Sequence, residues 1–215
     1  MRLEIRLWWV VAVELVAAGF GLALLQTTTP QFVHAPIPHV SHPPSPQLLQ
    51  SVRAATPPPA RSAPVSISVP ALGIVSGLGP PRGLNRDGTI DDAPLAGPTW
   101  SLPWWYDAGA SPGQPGSAVL LGHVDSSIGA GHLGVFFRLG DLAPGDKIAL
   151  TLADGSLTRW TAVSNVLYPD GRFPNALVYS QSGPPTLRLV TCGGSFNWQT
   201  HHYESAVVVT AVESS

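Results

Sequence analysis

Scarcity bounds this sequence before any motif does. A single cysteine, Cys192, stands among 215 residues, which excludes an intramolecular disulfide framework. It leaves the thiol either as a small buried hydrophobe or as a group in use. Charged residues amount to only 11% and the formal net charge is -2, so neither a nucleic-acid footprint nor a strong acidic tail is present. No acidic cluster has the composition of a calcium site. From Val65 onward no segment shows long helical periodicity, which argues against a helical bundle. Abundant instead are proline (23) and glycine (22), a mix suited to a turn-rich β domain joined to a part that need not fold.

Residues 1–26 read as a short basic tip, with Arg2 and Arg6, followed by an apolar run from Leu7 to Leu25. That run reaches the roughly 18–20 residues needed to cross a hydrocarbon layer, interrupted by Glu14. Basic residues precede it and none follows until Arg53, so the positive-inside rule predicts a cytoplasmic N-terminus and an extracellular remainder. A cleaved signal peptide is the competing reading. The Gln26-Thr27-Thr28-Thr29-Pro30 that follows offers no small-x-small cleavage site, which favours an uncleaved single-pass anchor in the membrane lipid. Residues 27–64 are rich in Pro, Ser, Thr and Ala, and are expected to be a disordered, semi-rigid spacer. His34, His39 and His42 fall inside it without any fixed geometry for a metal ion.

A third region, residues 65–215, has the length of one domain. Val65 to Val69 alternates apolar and polar residues, as a half-buried strand does, and Leu72 to Leu78 extends it. Asn85-Arg86-Asp87-Gly88 is turn chemistry. Ser117 to Leu121 reads as a buried strand ending at Gly122-His123. For Gly134 to Leu139 periodicity does not decide between strand and helical turn. Lys147 to Leu152 and Ser156 to Val163 flank Ala153-Asp154-Gly155 as a hairpin. Val166 to Tyr168, Leu187 to Thr191 and Ala206 to Val212 supply further strands. The fold class that follows is all-β, a barrel with short helical turns.

The residues with reactive chemistry sit at two predicted strand ends. His123 follows a buried run and a glycine, and Cys192 ends Leu187-Arg188-Leu189-Val190-Thr191 before Gly193-Gly194. Strand alternation places Arg188, Val190 and Cys192 on one face. A cation there either stabilises a thiolate or oxyanion, or faces solvent or an acid. Asp125, two residues beyond His123, either orients the imidazole or caps a turn. His132 reads as a loop residue, and the side chains of adjacent His201 and His202 diverge on any strand.

Leu121-Gly122-His123-Val124-Asp125-Ser126, Leu142-Ala143-Pro144-Gly145-Asp146 and Leu187-Arg188-Leu189-Val190-Thr191-Cys192-Gly193-Gly194 resemble, in order and spacing, the motifs of the sortases, most closely the class E/F-like enzymes of Gram-positive bacteria. Ile67 to Ile74 and Asp87 to Ile90 are similar to the opening of that domain. The resemblance implies a sortase-like β-barrel and a cysteine transpeptidase without a cofactor. It implies that Cys192 attacks an LPxTG-like sorting signal of a secreted surface protein, forming a thioester. His123 would act first as acid and then as base, and the acyl group would pass to an amine of a cell-wall precursor or a pilin. The family places an arginine on the strand after the cysteine, yet no Lys or Arg occurs from Gly193 to Ser215. Arg188 is therefore the candidate to supply that charge, with His201 or His202 a weaker substitute. A degenerate sortase-fold module that binds peptide or wall material is the alternative. An L,D-transpeptidase is disfavoured because its Ser-x-Gly-Cys arrangement is missing around Cys192.

Overall fold

The computed structural model describes residues 35–38, 60–86, 91, 93–126 and 132–214, all within a compact unit spanning Val33–Ser215. The apolar run of residues 7–25 and most of the expected spacer lie outside the described residues. Two short pieces of that spacer lie inside them. Pro38 is buried, and the carbonyl of Pro36 lies over Gly140, where a Cβ would stand 1.9 Å from that oxygen. Further on, Arg61 places its guanidinium 4.9 Å from the centroid of the Trp105 ring, and its Nη1 donates to the Gly109 carbonyl at 2.9 Å. The folded unit thus reaches upstream of Val65, because proline-rich chain is ordered where the domain offers it a glycine-sized slot or an aromatic face.

Ten strands form the rest: β1 (Pro64–Val69), β2 (Ile74–Gly77), β3 (Trp104–Trp105), β4 (Ser117–Leu121), β5 (Asp125–Ser126), β6 (His132–Leu133), β7 (Lys147–Leu152), β8 (Leu157–Pro169), β9 (Thr186–Asn197) and β10 (His202–Glu213). Among the described residues, helical structure is confined to 3₁₀ turns at Pro70–Leu72 and Leu139–Asp141 and to one α-turn, α1 (Asn175–Val178). Eight strands make one sheet in the order β2-β1-β7-β8-β10-β9-β4-β3, and β5 pairs with β6 separately.

All its neighbouring pairs are antiparallel except β4 and β9, which run parallel with Ser117 opposite Thr186 and Leu121 opposite Val190. Ile74 on the first edge strand and Trp105 on the last share one core with Leu120, Leu150, Trp160 and Leu189. The sheet is therefore curled around that core as a half-barrel. A second apolar cluster lies on the opposite face of β4 and β9, where Val119, Leu121 and Val190 pack with Trp104, Tyr106 and Val178. Burial on both faces explains why β4 reads as a nearly continuous apolar run rather than as alternation, and it takes Thr186, Arg188 and Thr191 of β9 inside as well.

Two expectations are revised. The segments read as Ser156 to Val163 and Val166 to Tyr168 form one strand, β8, whose polar centre, Ser164 and Asn165, is buried. Asn165 earns its interior position by donating through Nδ2 to the carbonyls of Leu139 and Leu142, each at 2.9 Å. Nor does the chain stop being a strand at Cys192. β9 runs on to Asn197, and Gly193 and Gly194 are accommodated within it because Val207 and Ser205 of β10 press against them. A Cβ on Gly193 would meet Val207 Cγ2 at 2.8 Å, and Gly194, with φ of 76°, sits where the β9–β10 register shifts.

Candidate active site

The parallel pairing of β4 and β9 positions the two candidate catalytic residues. Their last paired residues are Leu121 and Val190, and the Gly122 N–H donates to the Val190 carbonyl at 3.1 Å. His123 and Cys192 each stand two residues beyond that pair, on strands about 4.8 Å apart. Two residues on is the same strand face, so both side chains leave on the side of the second apolar cluster, away from the barrel core. Cys192 is exposed, opposite Ala206 of β10.

His123 is held on several sides. Gly122 lets the chain pass the Phe136 ring, since a Cβ there would meet Phe136 Cδ2 at 2.6 Å. Gly134 lies against the His123 carbonyl so closely that a Cβ would come within 2.0 Å of its oxygen, which also accepts from the Phe136 N–H at 3.2 Å. The imidazole packs against the Trp104 ring, with centroids 5.2 Å apart and planes tilted by 51°. Its Nε2 lies 3.0 Å from the Ala93 carbonyl. A carbonyl can only accept, so Nε2 carries the hydrogen and Nδ1 holds the lone pair in the neutral ring. Sequence reasoning missed Ala93, because a backbone carbonyl has no residue signature.

Asp125 and Arg188 take other places. The Asp125 carboxylate accepts a hydrogen bond from the Tyr203 hydroxyl across the site, so its partner is a tyrosine on β10. Arg188 does share the Cys192 face, but it lies four residues back along β9, about 13 Å at strand rise. It is only 2% exposed, and its Nη1 donates to Thr210 Oγ1 while Nε has no partner. Burial pulls its pKa down to about 10, with Tyr168 acting in the opposite sense. The β4–β9 register therefore puts His123 and Cys192 at matching positions just past the ladder, with Arg188 buried four residues back along β9. His132 is exposed beside Trp100, and His202 is exposed near the β9–β10 turn. Among the described residues no three His, Cys, Asp or Glu side chains are grouped to hold a metal ion.

Comparison with known proteins bears on the fold and the family. The Sortase domain family model matches residues 67–214, most of the chain. Among solved structures, the SrtA sortase from Actinomyces oris is similar at 17% identity and a TM-score of 0.52, covering 75% of this chain and 88% of that one. A lid mutant of sortase A from Corynebacterium diphtheriae is similar at 16% identity and a TM-score of 0.51, covering 80% and 81%. No curated protein sequence matches. At these identities the structures speak for the fold, and the family model speaks for descent. A curled β-sheet with its histidine and cysteine on adjacent parallel strands, matched over residues 67–214, belongs to the sortase family of cysteine transpeptidases.

Proposed function

We propose that this chain cleaves an LPxTG-like sorting signal through a thioester on Cys192 and transfers the acyl group to an amine. The observation that carries the reading is the placement of His123 and Cys192, each two residues past the last pair of the β4–β9 ladder and on one face. In the first step the Cys192 thiolate adds to the threonine carbonyl, forming C–S. The scissile C–N bond then breaks as protonated His123 gives its proton to the leaving amine. In the second, the acceptor amine adds to the thioester, His123 takes its proton, and C–S breaks to return the thiolate. The exposure of Cys192 suits attack on an extended peptide laid along the face above Val190. The apolar run of residues 7–25, with Arg2 and Arg6 before it, supports a single-pass anchor in membrane lipid with the domain outside. The acceptor is then a cell-wall or pilin amine.

The test is intact-protein mass spectrometry of the full-length chain with candidate sorting peptides, with and without a small amine. An acyl adduct on Cys192 that accumulates without amine, is discharged by it, and is missing in Cys192→Ala is the expected result. Peptide binding without adduct or product would overturn the enzymatic reading. One observation favours that second reading, a sortase-fold peptide-binding module: β10 carries no Lys or Arg, and Arg188 is buried four residues from the cysteine.

A further inference from the structure

The strand after the cysteine carries a side chain that joins the two halves of the site. Tyr203 lies opposite Phe196 in the β9–β10 hairpin, its ring meeting Phe196 edge-on with centroids 5.1 Å apart. Phe196 in turn packs against Trp198 at 4.8 Å. This stack fixes the phenol ring and directs its hydroxyl towards Asp125, 78 positions away in sequence, to which it donates a hydrogen bond. Asp125 opens β5 just after His123, and its backbone is paired with Leu133 of β6. One bond therefore spans from the segment bearing the histidine to the hairpin bearing the cysteine. Burial and the Asp125 carboxylate push the Tyr203 phenol well above its ordinary pKa, and it interacts electrostatically with Cys192 as well. Tyr203 remains a proton donor at any physiological pH.

We propose that Tyr203 is a positioning residue for the His123–Cys192 pair: its hydroxyl engages Asp125, fixes the His123 segment against the cysteine hairpin, and turns the carboxylate charge away from the thiol. The proposal rests on reading Cys192 as the nucleophile. The charged and titratable groups that act on the Tyr203 hydroxyl are Asp125 from β5 and Cys192 from β9. Glu204, next to Tyr203, is turned to Asn197, whose Nδ2 donates to its Oε1 at 3.2 Å. Opposite signs then follow for two substitutions. Tyr203 feels both the Asp125 carboxylate and Cys192, so without its hydroxyl the carboxylate loses its covering donor on the side of the thiol, and a like charge disfavours the thiolate. Without the carboxylate that opposition is gone.

The test is the pH dependence of Cys192 alkylation by iodoacetamide in the full-length chain, its Tyr203→Phe and Asp125→Asn variants, and the double variant. The Tyr203→Phe midpoint should rise by roughly half a unit to one unit, and that of Asp125→Asn should fall. The double variant should follow Asp125→Asn, because the hydroxyl then has no carboxylate to cover. With a sorting peptide, kcat/KM of Tyr203→Phe should drop about three- to tenfold, tracking the smaller thiolate fraction. A Tyr203→Phe profile that superimposes on the wild type, or shifts that add in the double variant, would overturn the proposal. Phenylalanine keeps the ring stack, so the variant should fold. If it does not, Asp125→Asn alone decides, since an unmoved midpoint there also refutes it. Alkylation needs no sorting peptide. A shifted profile in a chain that forms no acyl-enzyme would count against transpeptidation while leaving the positioning role standing.

Discussion

Replacing Arg188 by methionine is expected to stabilise the protein and leave the chemistry intact. The guanidinium is 2% exposed, bonded to Thr210 through Nη1, with Nε unpartnered, and it faces the phenol of Tyr168 rather than an acid. Its pKa falls from 12.5 to about 10 on folding because burial disfavours the cation. A cation with a depressed folded pKa contributes stability that is complete above the unfolded pKa and lost as pH falls through the folded one. At pH 7 the charge is present in both states and the folded state bears the whole penalty, about 3 kcal/mol. Methionine keeps a similar apolar stem and removes that penalty, at the loss of the Thr210 hydrogen bond, about 1 kcal/mol. The net gain is about 2 kcal/mol, or roughly 4–8 °C in Tm for a domain of this size. Calorimetry at pH 7, paired with peptide-cleavage rates, checks it. A lower Tm would refute the electrostatic reasoning. An unchanged Tm with turnover down about 10²–10³-fold would show that the guanidinium reaches the oxyanion after all.

Gly134→Ala should cost about 3 kcal/mol and a comparable share of activity, because its Cβ would meet the His123 carbonyl at 2.0 Å and backbone must shift; denaturant unfolding and cleavage rates read both. Asn165→Ala takes the Nδ2 donor from the Leu142 carbonyl and leaves Leu139 with only the Leu142 N–H, for a loss of about 1–3 kcal/mol with little change in the thiol chemistry of Cys192. Burial raises the Glu213 pKa above 4.5, so its carboxyl favours folding at low pH and that contribution is lost as pH rises through the raised value. Glu213→Gln should therefore raise Tm at pH 7 and leave it unchanged near pH 3. Trp104→Leu removes the ring that packs on His123 and should lower kcat more than it raises KM in a peptide-transfer assay.

Where the chain obeys one local rule, the sequence and the structure agree closely. β4 and β7 have the ends their apolar patterns indicate, Ser117–Leu121 and Lys147–Leu152, and the Ala153-Asp154-Gly155 turn joins β7 to β8. Local rules fail where a residue answers to a distant partner. Ser164 and Asn165 look like a break in β8, but Asn165 is needed inside by carbonyls of the Leu139–Asp141 turn. Gly193-Gly194 looks like a strand terminus, but it is where β10 presses closest on β9. The His123–Cys192 pairing was read from motif resemblance, and the β4–β9 register puts the two residues at matching positions past its last pair. Asp125 engages Tyr203 rather than His123, a choice that composition and spacing do not encode because the partner lies on another strand.

The parallel β4–β9 ladder also separates the order in which the site's parts are assembled. Cys192 lies in a hairpin whose strands are joined by a short turn, whereas β4 must find β9 across 69 positions, as at Ser117 and Thr186. Short loops close first and non-local parallel pairs late, so a folding chain acquires a structured cysteine before it acquires a histidine beside it. β4 is followed in the sheet only by the two-residue edge strand β3, yet all five of its residues are buried, so that margin opens only together with the core it helps to fill. The proposed transfer activity should therefore be lost with heat or denaturant in step with the barrel's tryptophan and amide signals.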